Sequence, residues 1–185
     1  MALLPNRDDP FTLVVGMTGV KMGDRLVQVG CADGRRLAAV ASKVGLSGRA
    51  VAVVPDDVSA GRVRKGAERA GVLVEIEIAP PTHLPLEDDA FDVAVIDETG
   101  GLLATMPPGD RAAVVGEARR VVRPGGRVMV IGAARRGGLS ALFARAQSVP
   151  AFDPKPLLAV DSLRGVRTLA ERDGLVFIEA LKPRI

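Results

Sequence analysis

The sequence predicts an α/β domain: a doubly wound, mostly parallel seven-stranded sheet with a C-terminal antiparallel hairpin. Three observations carry this. Short Val-rich runs alternate with longer stretches of helical periodicity. Glycine or proline-glycine punctuation separates these segments. The last two strand-like runs are joined through Asp173-Gly174, a strong hairpin signal.

In chain order, residues 1–22 read as an N-terminal helical segment. The first strand, Arg25 to Gly30 (RLVQVG), is an apolar run ending at Gly, as expected of a strand buried on both faces. The following helix spaces Leu37, Val40, Ala41 and Val44 on one face and stops at Gly45. Ala50 to Val54 is the second strand, and Pro55-Asp56-Asp57 supplies a turn and helix-capping chemistry. A helix from Ser59 to Ala70 has Arg62, Arg64, Lys65, Glu68 and Arg69 on its wet side and ends at Gly71. The third strand, Val72 to Ile78, alternates apolar with acidic residues near its end, as a half-exposed or edge-proximal strand does.

PPTHLPLEDDA is a loop by composition, and Phe91 to Asp97 is the fourth strand. A helix over GDRAAVVGEARRVVRPGG is expected to close at Pro124-Gly125-Gly126, before a fifth strand from Arg127 to Gly132. GLSALFARAQ reads as a short helix, and AFDPKPLLAVDSLRG as a loop followed by another. Strands alternating with helices in this way imply right-handed crossovers and helices on both faces of the sheet, a Rossmann-like arrangement.

The length, 185 residues, fits a single domain, with residues 23–131 as its ligand-binding core and 132–185 as the closing helix and hairpin. A chain of this size buries enough surface to need no disulfide or metal for stability. Cys31 and His83 are each the only residue of their kind, which excludes an intramolecular disulfide and a Cys/His zinc site. The net charge of +3 falls short of a basic nucleic-acid stripe, and 3% aromatic content supplies no stacking platform. Nucleic acid is therefore not an expected partner. The N-terminus does not read as a secretory signal, and no apolar run reaches the roughly 20 residues of a membrane span. The expectation is a soluble, cytoplasmic chain with no membrane contact.

Ligands of an open α/β sheet bind beyond the carboxyl ends of its strands. The turn after the first strand, Gly30-Cys31-Ala32-Asp33-Gly34, combines glycines that let backbone approach a ligand with the start of a helix. The same step also serves simply to turn a strand into a helix. The succession GDRLVQVGCADG, GRAVAVV, LPLEDDAFDVAVID and EARRVVRPGGRVMVIG resembles class I S-adenosylmethionine-dependent methyltransferases, most closely the small-molecule group called methyltransferase type 11. The likeness runs from Gly23 to Ile131, and the terminal hairpin agrees with that family's antiparallel seventh strand.

The resemblance implies S-adenosylmethionine as cofactor and a small-molecule acceptor, methylated by direct transfer. It implies cofactor contacts from Gln28, Gly30, Cys31, Ala32, Asp33 and Gly34, from Val54, Pro55 and Asp56, from Pro81 and Thr82, and from Asp97. It also exposes departures. Gln28 stands where the family's first motif is acidic, and Ala32 replaces its middle glycine. Val54 stands where an acidic residue accepts from the ribose hydroxyls. Pro80 and Pro81 stand where an acid and a backbone N–H face the adenine, and proline has neither. The loss of such charge-assisted bonds motivates a second expectation: a catalytically inactive binding or partner protein on the same scaffold, with weakened cofactor affinity. Asp57 is a further group within reach of a ribose hydroxyl, the alternative being a helix cap.

Asp97 and His83 are the candidate catalytic residues, Asp97 ending the fourth strand and His83 having the only side chain with an ordinary pKa near neutrality. FDVAVID also looks like the metal-binding run of catechol-type O-methyltransferases. Gly132-Ala133-Ala134 stands where those enzymes carry further ligands, so no metal is expected. Cys31, beside a helix start, is either a space filler or a reactive thiol. Arg135, Arg136 and Arg145 form a modest basic cluster. A nicotinamide-dependent oxidoreductase is disfavoured, because the sequence after Gly30 misses G-x-G-x-x-G. A homodimer or a heteromeric partner remains open.

Overall fold

The computed structural model describes residues 11–134, 152–160 and 162–184. Its seven strands are β1 (Arg25–Val29), β2 (Arg49–Val54), β3 (Glu75–Ile78), β4 (Phe91–Asp97), β5 (Val122–Ala133), β6 (Arg164–Arg172) and β7 (Leu175–Leu181). They form one sheet in the order β3-β2-β1-β4-β5-β7-β6. The first five strands pair in parallel, and β7 lies antiparallel between β5 and β6. The chain winds outward from β1 to β3, then crosses to β4 on the other side of β1. The strand order therefore reverses between β1 and β4, where such sheets open a crevice.

The helices are α1 (Thr12–Thr18), α2 (Gly34–Val44), α3 (Asp57–Ala70), α4 (Pro108–Val121) and α5 (Lys155–Val160). Alternation along the strands assigns them to faces. Leu26, Ala50, Val93, Val95, Met129 and Phe177 pack with residues of α1 and α2, while Ala52 and Val54 meet Leu37 of α2 and Ala60 and Val63 of α3. Val27, Val29, Val51, Val53, Ile96 and Val130 point the other way, onto Val114, Val115 and Ala118 of α4 and Leu158 of α5. Burying each such Val or Leu contributes about 1.5–3 kcal/mol.

The seven-stranded mixed sheet and terminal hairpin agree with the sequence expectation. Asp173 and Gly174 both take positive φ, 55° and 75°, the two-residue turn that matches strand twist. Two boundaries differ. Val72 is expected to open β3 but instead donates its N–H to Ala67 O, completing the C-terminal closure of α3 around Gly71. Only Glu75–Ile78 pair, at the edge of the sheet.

The helix expected to run to Pro124-Gly125-Gly126 ends at Val121, and β5 begins at Val122 opposite Phe91. Pro124 has no N–H to continue a helix and bars Arg123 from helical geometry. The Pro-Gly-Gly step is instead an irregularity inside the strand. Gly125 has φ 78°, and a Cβ on Gly126 would lie 2.7 Å from Asp92 O. The expected helix over 138–147 and the Arg135, Arg136 and Arg145 cluster lie outside the described residues.

Candidate functional site

At the carboxyl ends of β1, β2 and β4 lies a cleft of about 340 Å³, formed by Gly30, Cys31, Ala32, Pro55, Ser59, Arg62, Asp97, Gly100 and Leu102. That volume lies within the range of small-molecule sites, roughly 300–1,000 Å³. A larger groove, about 550 Å³, runs among α1, α2 and α3, with Arg35 and Arg69 as its only ionised side chains, away from these strand ends.

The loop after β1 is tightly held. Gly30 turns with φ 79° and donates to Val53 O at 2.9 Å; a Cβ there would lie 3.0 Å from Leu102 Cδ2. Gln28 is buried, and its Nε2 donates to Gly30 O at 3.0 Å, so its amide supports the loop from within. Asp33 caps α2, accepting from Arg35 N at 3.0 Å. Gly34 serves helix packing. A Cβ on it would sit 1.9 Å from Arg62 O, and one on Gly66 would sit 2.2 Å from Gly34 O, so α2 and α3 touch backbone to backbone.

Asp97 is buried and fully engaged. Its Oδ2 accepts from Ala32 N at 2.9 Å, and its Oδ1 accepts from Arg36 Nη1 at 3.2 Å, Thr99 N at 3.1 Å and Thr99 Oγ1 at 2.6 Å. Arg36 also donates to Thr99 Oγ1 at 2.7 Å. Next to it, Glu98 turns inward and accepts from the amides of Leu103 and Ala104. Burial pushes the Glu98 carboxyl above the ordinary glutamate range, against the opposing effect of those two amides. Arg111 donates to Ala104 O and Met106 O from the other side. The wall containing Gly100 and Leu102 is thus pinned at both ends.

On the β2 side, Val54 packs into the core with Ala52, Leu37 and Val63. Pro55 is exposed on the cleft wall, and Asp56 caps α3, its Oδ1 accepting from Ser59 N at 2.7 Å. That backbone N–H holds the Asp56 carboxyl below its ordinary value. Asp57 is the first residue of α3. After β3, Pro81 is buried, Thr82 is half-buried and His83 is exposed; none of the three lines the cleft. The loop continues through Leu84, whose N–H donates to Glu117, while Arg120 donates to Leu84 O, Leu86 O and Asp88.

Cys31 is buried, and its thiol is pushed up to about 12, first by burial and then by the Asp97 and Asp33 carboxylates. Among the described residues, no group of three or more His, Cys, Asp or Glu is arranged to hold a metal. No described helix is long and apolar enough to cross a membrane.

The structure therefore brings Gly30, Cys31, Ala32, Pro55 and Asp97 together around one cleft, with Gln28, Val54 and Asp56 as its supports. Ser59, Arg62, Gly100 and Leu102 line it although the sequence reading did not select them. Ser59 and Arg62 carried a usable signal: they fall in the first turns of the helix that starts just beyond β2. Leu102 had none, because its place depends on the turn that Glu98 organises.

A family model described as a methyltransferase domain matches residues 26–126. Methyltransferase GfsG of Streptomyces halstedii is 33% identical over 120 residues, which cover 65% of this chain and 41% of that protein. The chain thus spans less than half the length of that curated relative. A SAM-dependent methyltransferase from Aquifex aeolicus has a similar structure, with a TM-score of 0.73, 19% identity and 94% of each chain covered. The [4+2]-cyclase SpnF is also similar, with a TM-score of 0.69 and 18% identity, covering 95% of this chain and 80% of that one. At these identities the structural likeness speaks for the fold.

Proposed function

The chain belongs to the class I S-adenosylmethionine-dependent methyltransferase family, and from that premise we propose that it moves a methyl group directly to a small-molecule nucleophile. The observation that carries this reading is the cleft at the point where strand order reverses, bordered by a glycine turn whose φ of 79° at Gly30 disfavours a side chain. The position of this cleft supports S-adenosylmethionine as its occupant, which would supply a methyl group already activated by its sulfonium.

The chain's contribution is then mainly to position. Gly30 and Ala32 bring backbone to the ligand, Leu102 and Pro55 form its apolar walls, and Asp97 fixes the loop by holding the Ala32 amide. Thr82 and Pro81, in the loop after β3, lie outside the cleft lining, and only the half-buried Thr82 is proposed to approach the adenine end. Asp97 is not assigned as a base, since its oxygens already accept from four donors. His83 is not assigned as one either, being exposed outside the cleft. Among the described residues neither candidate is left as a base, which supports an acceptor that loses its proton to water.

One observation favours the second reading, a scaffold that binds a partner and has lost ordinary cofactor affinity. Among the described residues the only carboxylate lining the cleft is Asp97, and it is committed to the protein. Equilibrium dialysis with radiolabelled S-adenosylmethionine separates the two. The wild-type chain retains label and Ala32→Trp, which fills the cleft, does not. Equal and negligible retention by both proteins favours the binding scaffold.

A further inference from the structure

At the end of β2 the cleft has donors where an acceptor is expected. Val54 faces the core and offers no polar side-chain atom. The polar groups on that wall come from α3, where Ser59 and Arg62 stand three residues apart on one face. Arg62 Nη1 lies 3.4 Å from Ser59 Oγ and 3.5 Å from Cys31 O, both long contacts to neutral oxygens. Among the described residues Arg62 makes no ion pair. The nearby Asp56 accepts from Ser59 N through its Oδ1, and Asp97 is paired with Arg36. Among the described residues the cleft lining thus carries one exposed guanidinium outside any ion pair, with the Asp56 carboxylate acting on it only through space.

A guanidinium has five donors in a planar fork that matches a phosphate. In sheets of this kind, an acid near the end of the second strand binds ribose hydroxyls, and an Arg there accommodates a ribose phosphate. We infer that Arg62, with Ser59, makes this end of the cleft a seat for a phosphate esterified to the ribose of a nucleoside. The seat shares the cleft proposed above for the cofactor, but binding there needs no methyl transfer.

Calorimetric titration of the full chain with adenosine, adenosine 2′-monophosphate, adenosine 3′-monophosphate and inorganic phosphate tests this. At least one ester binds about 10- to 100-fold more tightly than adenosine, the worth of one charge-assisted bond. The preference shrinks as salt is raised. Arg62→Gln abolishes it, and Arg62→Lys keeps part of it; melting curves confirm that both variants fold. Equal binding of esters and adenosine, no binding of either ester, or a preference intact in Arg62→Gln overturns the inference. Inorganic phosphate binding as tightly as the esters overturns the nucleoside assignment. A parallel titration with S-adenosylhomocysteine keeps the two proposals apart. Its binding without an ester preference defeats only this one, and an ester preference without its binding defeats only methyl transfer.

Discussion

The carboxylate of Asp97, at the end of β4, holds the amide of Ala32 at 2.9 Å and so ties the loop after β1 to the neighbouring strand. The same group is ion-paired with Arg36 at 3.2 Å, and both side chains are largely out of water. Removing one member leaves the other charged, buried and unpaired, which costs about 3–5 kcal/mol. Asp97→Ala and Arg36→Ala are each expected to lose stability of that order in urea unfolding. The double variant is expected to lose less than the sum, because the two share one interaction.

Gly34 and Gly66 are expected to be intolerant for a packing reason. A methyl at Gly34 would meet a backbone oxygen of α3 at 1.9 Å, and backbone yields less readily than a side chain. Gly34→Ala should destabilise by about 3 kcal/mol or more. At Gly61, on the same helix, a Cβ meets nothing within 4 Å, and Gly61→Ala should be neutral or stabilising. Thermal melts of the two variants provide the contrast.

Glu98 gives the fold a pH slope of defined sign. Its folded pKa is raised, chiefly by burial, so between its unfolded value of 4.5 and that higher value the folded chain holds more proton than the unfolded one. Stability therefore falls as pH rises through this window. Asp56 and Glu117, both lowered by hydrogen bonds from Ser59 N and Arg120 respectively, act oppositely. Their contribution is present above their unfolded values and is lost as pH falls through their folded ones. Glu98→Gln should flatten the first slope and leave the acid limb in place, as read from unfolding free energies across pH.

Cys31 should react slowly. With its thiol near 12, about one molecule in 10⁴ carries the thiolate at pH 8. Modification by a thiol reagent should proceed much faster in urea than in buffer, and a nucleoside ligand should slow it further. Rapid modification of the folded chain in buffer contradicts the burial described for this side chain.

Much of the fold was legible because local pattern and tertiary environment agree. The Val-rich runs of β1, β2 and β4 are buried on both faces, and Asp173-Gly174 has the chemistry its turn requires. The boundaries that moved depend on longer-range partners. Val72 is taken by the α3 closure, and Pro124-Gly125-Gly126 is drawn into β5, with Gly125 donating to Lys182 O. The cleft was legible at Gly30 and Ala32, since a loop between a strand and a helix is local. Sequence could not distinguish a glycine that borders the cleft, as Gly30 does, from one that admits a helix, as Gly34 does. Nor could it foresee that Asp97 would be spent on Ala32, a pairing across 65 residues.

Titration calorimetry of the full chain with S-adenosylhomocysteine tests the central claim most directly, because the product is proposed to bind in the same cleft and undergoes no reaction. A site at the carboxyl ends of β1, β2 and β4 predicts saturable one-to-one binding in the micromolar range, lost in Ala32→Trp. No heat at millimolar ligand contradicts the methyl-transfer proposal for this chain.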